Sequence, residues 1–421
     1  MRRSKSPTLA LGLLLAACAD PPAAQPEPQA FVVESSDVWS GTSLTVRSGG
    51  FVDAEPSAVL LDDDSLLFTR VDDSTIHVSL PDAPGTHQLR VVSNLVLSTP
   101  VPVKLNGFLN AEAGPVFMGR AARGANLTEV YASGPTGLRR WNVSTGALFD
   151  YPDSMHAETC SRGVGLGTHP GELLLNSGCS AWQVWRVEPT VQPLDTAVWY
   201  NDRFVDQQDN TLVVPGAHYT GILRCDTPCT GSWTRTESPF DVVYAPAGNR
   251  AVVLSYRVSD TGVAVVDVPG ARVNYYVDRL QSAEGAVFSD DGDTLFLAGG
   301  DSIDYTSDAE FILALRAADG LVVDSVRVPF RVCGVALDPV RSQLYAAGHV
   351  SGTGVPVLAV FDRAHLAPVT LLSAPMYTWG FPCMVLPDPL ERRIYVIESP
   401  DGGFDVRIHA RIARFETPPY P

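Results

Sequence analysis

The chain has 421 residues, 45% of them hydrophobic and 18% charged, with a formal net charge of −17. An excess of acid of this size sets the protein against nucleic acid and against anionic lipid, so no nucleic-acid partner is expected. Of the 30 basic residues only Lys5 and Lys104 are lysines, a bias that reads as genome composition and carries no functional argument.

In chain order, Arg2, Arg3 and Lys5 are followed by the apolar run Leu9-Ala-Leu-Gly-Leu-Leu-Leu15 and then by Ala16-Ala17 before Cys18. A basic start, a short apolar stretch and small residues at its end form a signal peptide over residues 1–17, too short for a permanent membrane span. Leu15-Ala-Ala-Cys18 resembles the bacterial lipobox, which implies a lipid on Cys18 as the mature N-terminus. An ordinary secreted protein with an incidental cysteine is the alternative. Ala19 in place of Asp implies, by the sorting rule for such lipoproteins, the outer membrane. The Pro- and Ala-rich residues 18–29 read as an extended tether, and acyl chains would hold the protein at a membrane without a spanning helix. Loss of the leader with its three basic residues brings the net charge to −20.

Residues 30–106 carry short alternating or apolar runs: Thr42 to Ser48, Ser57 to Leu61, Leu66 to Arg70, Thr75 to Leu80 and His87 to Val92. About seven strands in so short a span predict a small β-sandwich. The order Gly41-Thr-Ser-Leu-Thr-Val, Gly49-Gly50-Phe51, Thr75-Ile-His-Val-Ser-Leu-Pro81 and Gly85-Thr-His-Gln-Leu-Arg-Val is similar to the IPT/TIG immunoglobulin-like family. That resemblance implies a spacer or interaction module that holds the C-terminal part of the chain away from the membrane.

From about residue 116 to the C-terminus one phrase recurs seven times, a turn followed by an apolar strand that ends in a small or polar residue. It is seen in Glu129-Val-Tyr-Ala-Ser-Gly134, Thr294-Leu-Phe-Leu-Ala-Gly-Gly300, Gln343-Leu-Tyr-Ala-Ala-Gly-His349 and Arg393-Ile-Tyr-Val-Ile-Glu-Ser399. Strand starts at Val130, Leu173, Leu212, Ala251, Leu295, Leu344 and Ile394 are 43, 39, 39, 44, 49 and 50 residues apart. This is the period of four-stranded propeller blades, so the expected fold class is all-β: an immunoglobulin-like sandwich followed by a seven-bladed β-propeller over residues 107–421. Phe288-Ser-Asp-Asp-Gly-Asp-Thr-Leu-Phe-Leu297 and strands ending in Val-Val-Asp or Val-Phe-Asp resemble the YVTN/YncE-like propeller family. Closure of the ring needs one more strand beside Phe404 to Glu416, for which Gly107 to Ala113 is the candidate.

Six cysteines besides Cys18 suggest disulfides in an oxidising compartment. In the propeller register Cys160 and Cys179 share one face of the second blade, Cys225 and Cys229 flank the turn Asp226-Thr-Pro228, and Cys333 and Cys383 take equivalent places on neighbouring innermost strands. All six pair without a remainder.

Catalytic signatures are absent from the sequence: there is no Gly-x-Ser-x-Gly elbow, no phosphate loop and no dinucleotide fingerprint. The acidic clusters Asp62-Asp-Asp64, Asp72-Asp73 and Asp290-Asp-Gly-Asp293 lack the spacing of a calcium loop and suit hairpin turns. No metal or cofactor is therefore expected. Loops converging on the channel mouth carry His156, Arg162, Tyr200, Asp202, Arg203, Asp241, Glu284, Arg331 and Trp379, a mixture of charged and aromatic groups able to line a ligand site. Together these features point to a lipid-anchored, extracytoplasmic recognition or scaffold protein for an envelope protein, glycan or small ligand. The rival readings are a lactonase-like hydrolase or lyase working at the channel mouth, and a purely structural envelope protein.

Overall fold

The computed structural model describes residues 30–419 except 52–54, 94–95, 118–120, 124–127, 135–136, 152–163, 167–171, 177–180, 187–191, 200–205, 209–210, 216–218, 226–228, 236, 258–261, 271, 301–309, 351–352, 375–382 and 399–407. The chain is all-β, and no described helix is long and apolar enough to cross a membrane.

The first unit is two sheets around one core. One sheet orders Val32–Val33, Ser43–Arg47, Thr75–Ser79 and Phe68–Arg70, and the other is built on Asp37–Trp39, Val101–Asn106, Gly85–Ser93 and Pro56–Leu61. Alternation supplies the core: Leu44, Val46, Ile76 and Val78 from one sheet face Val59, Leu89, Val91, Val103 and Leu105 from the other. The run Leu66 to Arg70, expected as one strand, is two. Asp64–Leu66 pairs in one sheet and Phe68–Arg70 in the other, with Leu67 left 81% exposed where the chain changes sheets.

Beyond residue 107 the described strands form successive four-stranded antiparallel sheets, and each repeated phrase is the second strand of its sheet. The sheet of Gly285–Phe288, Thr294–Gly300, Glu310–Arg316 and Val322–Val328 is followed by that of Arg331–Leu337, Gln343–His349, Pro356–Asp362 and Pro368–Ser373. Second and third strands are buried almost throughout, because neighbouring sheets cover both of their faces. One cluster joins Phe296, Ile312 and Phe330 to Leu344, Ala359 and Phe361 across the seam between these two sheets. Outermost strands such as Val322–Val328 alternate between exposed and half-buried positions, as a strand with one free face does.

The sheet that closes the body draws on both ends of the chain. Its order is Cys383–Asp388, Arg393–Glu398, Ile408–Glu416 and Phe108–Phe117, so the strand expected at Gly107 to Ala113 is present, extends to Phe117 and lies outermost. Val130, Ala132 and Trp141 of the sheet that begins the series then pack against Tyr395, Ile397 and Ile412 of this last one.

The acidic clusters serve turns. Asp291 Oδ1 accepts bonds from the Ser289 hydroxyl at 2.5 Å and the Asp293 N–H at 3.0 Å, with Gly292 at φ +74°. Asp72 accepts from the backbone and hydroxyl of Ser74 at 2.7 and 2.9 Å. In the two Asp-Pro turns, Asp338 accepts from the N–H groups of Val340 and Arg341, and Asp388 from those of Leu390 and Glu391.

Candidate functional site

Among the expected channel-mouth residues, the structure joins Glu284 and Arg331. Glu284 immediately precedes the innermost strand Gly285–Phe288, and Arg331 opens the innermost strand of the next sheet, Arg331–Leu337. The two therefore meet across the seam: Arg331 Nη2 donates to Glu284 Oε1 at 2.8 Å, and Nε lies 3.3 Å from both carboxylate oxygens. His156, Arg162, Tyr200, Asp202, Arg203 and Trp379 lie outside the described residues, as do Cys18, Cys160 and Cys179. Asp241 stands in the strand Glu237–Tyr244 opposite Leu254.

Two further groups complete this cluster. Glu310 starts the strand Glu310–Arg316, accepts from the Val332 N–H at 2.6 Å through Oε2, and sets Oε1 3.8 Å from Arg331 Nε. His349 ends the strand Gln343–His349 directly opposite Arg331 in the ladder. Neither residue stands in a local motif, although register holds the signal: Glu310 pairs with Gly300 and His349 with Arg331, which places both at the strand ends where the inner strands begin. The side chains of Glu284, Glu310 and Arg331 are 3%, 6% and 14% exposed, so this is a buried ion cluster and not a solvated rim.

Two carboxyls share one guanidinium here, and burial disfavours charge on both. Desolvation raises the Glu284 carboxyl, opposed by the bidentate Arg331, while Glu310 is pushed up to about 8 by burial first and by the charge of Glu284 second. Glu310 therefore holds a proton at neutral pH. Burial, with Arg331 adding to it, lowers His349, whose ring is neutral under the same conditions. Chemically the group offers one retained carboxylic proton, one neutral imidazole and one fixed cation at the same end of a sheet seam.

The direction of the Glu310 shift makes stability depend on pH. A carboxyl raised on folding contributes stability that is complete below its ordinary range near 4.5 and is lost as pH rises to about 8. Glu310→Gln keeps the shape without the ionisation, so the variant should gain a few kcal/mol relative to the parent between pH 5 and pH 9. Denaturant melts across that interval measure it, and parallel curves for the two proteins would refute the assignment of the proton to Glu310.

Of the anticipated disulfides, Cys333–Cys383 is present and joins the innermost strands Arg331–Leu337 and Cys383–Asp388 across a sequence separation of 50. Cys225 and Cys229 are direct partners in the antiparallel ladder of their hairpin. Beside the disulfide, Gly348, Val357, Ala374, Val396, Glu398 and Phe415 line a small cleft between the last two sheets.

No protein-family model matches the chain, and no curated protein matches it. Among solved structures the chain is similar to one described as the crystal structure of the mitotic checkpoint complex, at 11% identity over 73% of this chain and 91% of that one, with a TM-score of 0.54. At such an identity the likeness is one of fold alone: a propeller-like, all-β arrangement of four-stranded sheets.

Proposed function

We propose that this protein is a lipid-anchored, extracytoplasmic recognition scaffold. In this reading residues 1–17 are a signal peptide, Cys18 carries the lipid in an outer membrane, and residues 18–29 are the tether. An IPT/TIG-like sandwich over 30–106 is the spacer, and a seven-bladed, YVTN-like ring over 107–421 receives an envelope protein, glycan or small ligand. The observation that carries the reading is where the chain enters the two-sheet unit. Val32 pairs with Arg47 and Ser48 Oγ bonds the Ala30 carbonyl, whereas the opposite end of the strand Ser43–Arg47 adjoins Gly41, which packs on Thr370 of the propeller-like body. Ala30 and the propeller-like body thus lie toward opposite ends of that strand, an arrangement that supports a spacer role. The loops at one face of such a body are a common recognition surface, and the structural neighbour described as a checkpoint complex is itself part of an assembly.

The test has two arms. Expressed with its own leader in a diderm bacterium, the chain should take up an alkyne-tagged fatty acid and fractionate with membranes, and Cys18→Ala should abolish both. Photo-cross-linking residues at Arg203 and Trp379 should then capture partner far more strongly than one at the exposed outer-strand residue Val323. Equal capture at all three positions would defeat the recognition face, whatever the lipid result.

A second reading rests on the Glu284, Glu310, Arg331 and His349 cluster, since a carboxyl that retains its proton at neutral pH beside a neutral imidazole is equipped for acid–base work. As a hydrolase or lyase of lactone-like substrates the protein would use Glu310 as proton donor and Arg331 to hold developing negative charge. A lactone panel assayed with the parent and Glu310→Gln decides this, since activity lost in the variant supports it and an inert parent removes it.

A further inference from the structure

We infer that the two-sheet unit and the propeller-like body form one rigid piece, joined by a clasp of Trp39, Asp37–Arg392, Asp82–Ser373 and Lys104–Glu416 that also holds the ring-closing strand Phe108–Phe117 in place. Interdomain motion is the default unless the interface between two units is large and hydrophobic. Here the connection is one residue long and the contact has an apolar centre ringed by polar groups. Val101–Asn106 of the two-sheet unit runs into Phe108–Phe117 with only Gly107 between, and a side-chain carbon on Gly107 would lie 2.7 Å from Ser40 Oγ and 2.9 Å from Pro84. Trp39 is 5% exposed, and its cluster includes Leu358, Val360, Leu372 and Phe415 from the last two sheets of the propeller-like body.

Polar groups fix the angle around that indole. Thr370 Oγ1 donates to the Ser40 carbonyl at 2.7 Å, while Asp82 accepts from the Ser40 hydroxyl at 2.9 Å and from the Ser373 N–H at 3.0 Å. Lys104 Nζ reaches Glu416 at 2.5 Å, and the Glu416 N–H donates to the Gly107 carbonyl at 2.8 Å, so the junction and the last strand of the chain hold one another. Arg392 supplies an independent sign. Its φ is +53°, a region that favours glycine, yet its guanidinium spans Asp37 at 3.3 Å and the Thr417 carbonyl at 2.8 Å. The turn at Arg392 thus holds a backbone region costly for a non-glycine residue while its side chain reaches across the junction.

This inference goes beyond the scaffold reading, since it holds whatever the ring binds and whether or not Cys18 is lipidated. It makes the first unit a fixed mount, so that the direction in which the chain enters at residue 30 sets the orientation of every loop of the ring.

The test uses the full mature chain with spin labels introduced through bioorthogonal residues at Leu97 and Leu390, both exposed. The parent should give a single narrow distance distribution. Arg392→Gly with Asp82→Ala deletes two arms of the clasp and relieves the positive φ, so the body should still fold. In that variant the distribution should at least double in width, and amide exchange over 108–117 should quicken at least tenfold while 331–337 stays protected. A broad distribution in the parent would overturn the inference, and so would a double variant as narrow and as well protected as the parent.

Discussion

Replacing Gly348 with alanine should cost about 3 kcal/mol or more and leave much of the protein unfolded at physiological temperature. A Cβ at this position would stand 1.9 Å from the Arg331 carbonyl oxygen and 2.8 Å from the Phe330 ring, and the first of these is backbone that cannot rotate away. In the ladder Val332 is the partner of Gly348, and the register shifts immediately after it, between Val332 and Gly334. Gly299 holds the same place in the preceding sheet, with its Cβ position 1.8 Å from the Ser282 carbonyl oxygen, and Gly299→Ala should act similarly. The contrast lies in the closing sheet. There the strands Cys383–Asp388 and Arg393–Glu398 pair without a shift, and Glu398 occupies the corresponding position. Gly49→Ala, with open space around it, is the internal control and should stay within about 0.5 kcal/mol of the parent. Thermal melts of the three variants measure the effect, and a Gly348→Ala midpoint equal to that of Gly49→Ala would show that the inner strand can yield.

Cys333→Ser with Cys383→Ser should lower stability by about 4 kcal/mol, the loop-closure entropy of a 50-residue crosslink, which corresponds to a fall of about 5 °C in Tm for a chain of this size. The bond joins two inner strands that no ladder pairs. Gly285 packs 3.2 Å from Gly334, and Gly334 packs 2.6 Å from the Cys383 carbonyl, distances measured from the Cβ each glycine lacks, so the backbones of these strands approach closely beside the disulfide. Apolar side chains from outer strands surround them, yet at this end of the seam the disulfide is the covalent tie. Scanning calorimetry of the double variant isolates it from the other cysteines, which a reductant would also attack. A midpoint unmoved by the substitution would mean that the closing sheet and the clasp on Trp39 already hold the seam by themselves.

The repeated phrase made the sheets legible because burial of second and third strands on both faces demands unbroken apolar runs, and a turn between them demands Asp, Gly or Pro at fixed offsets. Gln343 to His349 and Arg393 to Glu398 are strands for that reason, and the partner of the last strand could be sought at Gly107 because a ring cannot end on an open edge. The Cys333–Cys383 pairing was legible by the same logic, as equivalent positions in a repeat become neighbours in space. Leu66 to Arg70 misled because an apolar run does not say which of two stacked sheets each half joins.

What the amino-acid sequence by itself determined is the all-β class, the places of the repeated strands, the closing strand and the pairing of Cys333 with Cys383. The tertiary structure alone decided that Glu284 and Arg331 meet, that Glu310 and His349 join them, and that Trp39 is buried against the closing sheet. The physical reason is a difference of range. Alternation and turn chemistry act over a few residues and leave a local record, whereas the ion cluster and the clasp depend on which strand ends are brought together from 20 to more than 300 positions apart. Only the register of the finished sheets carries that information.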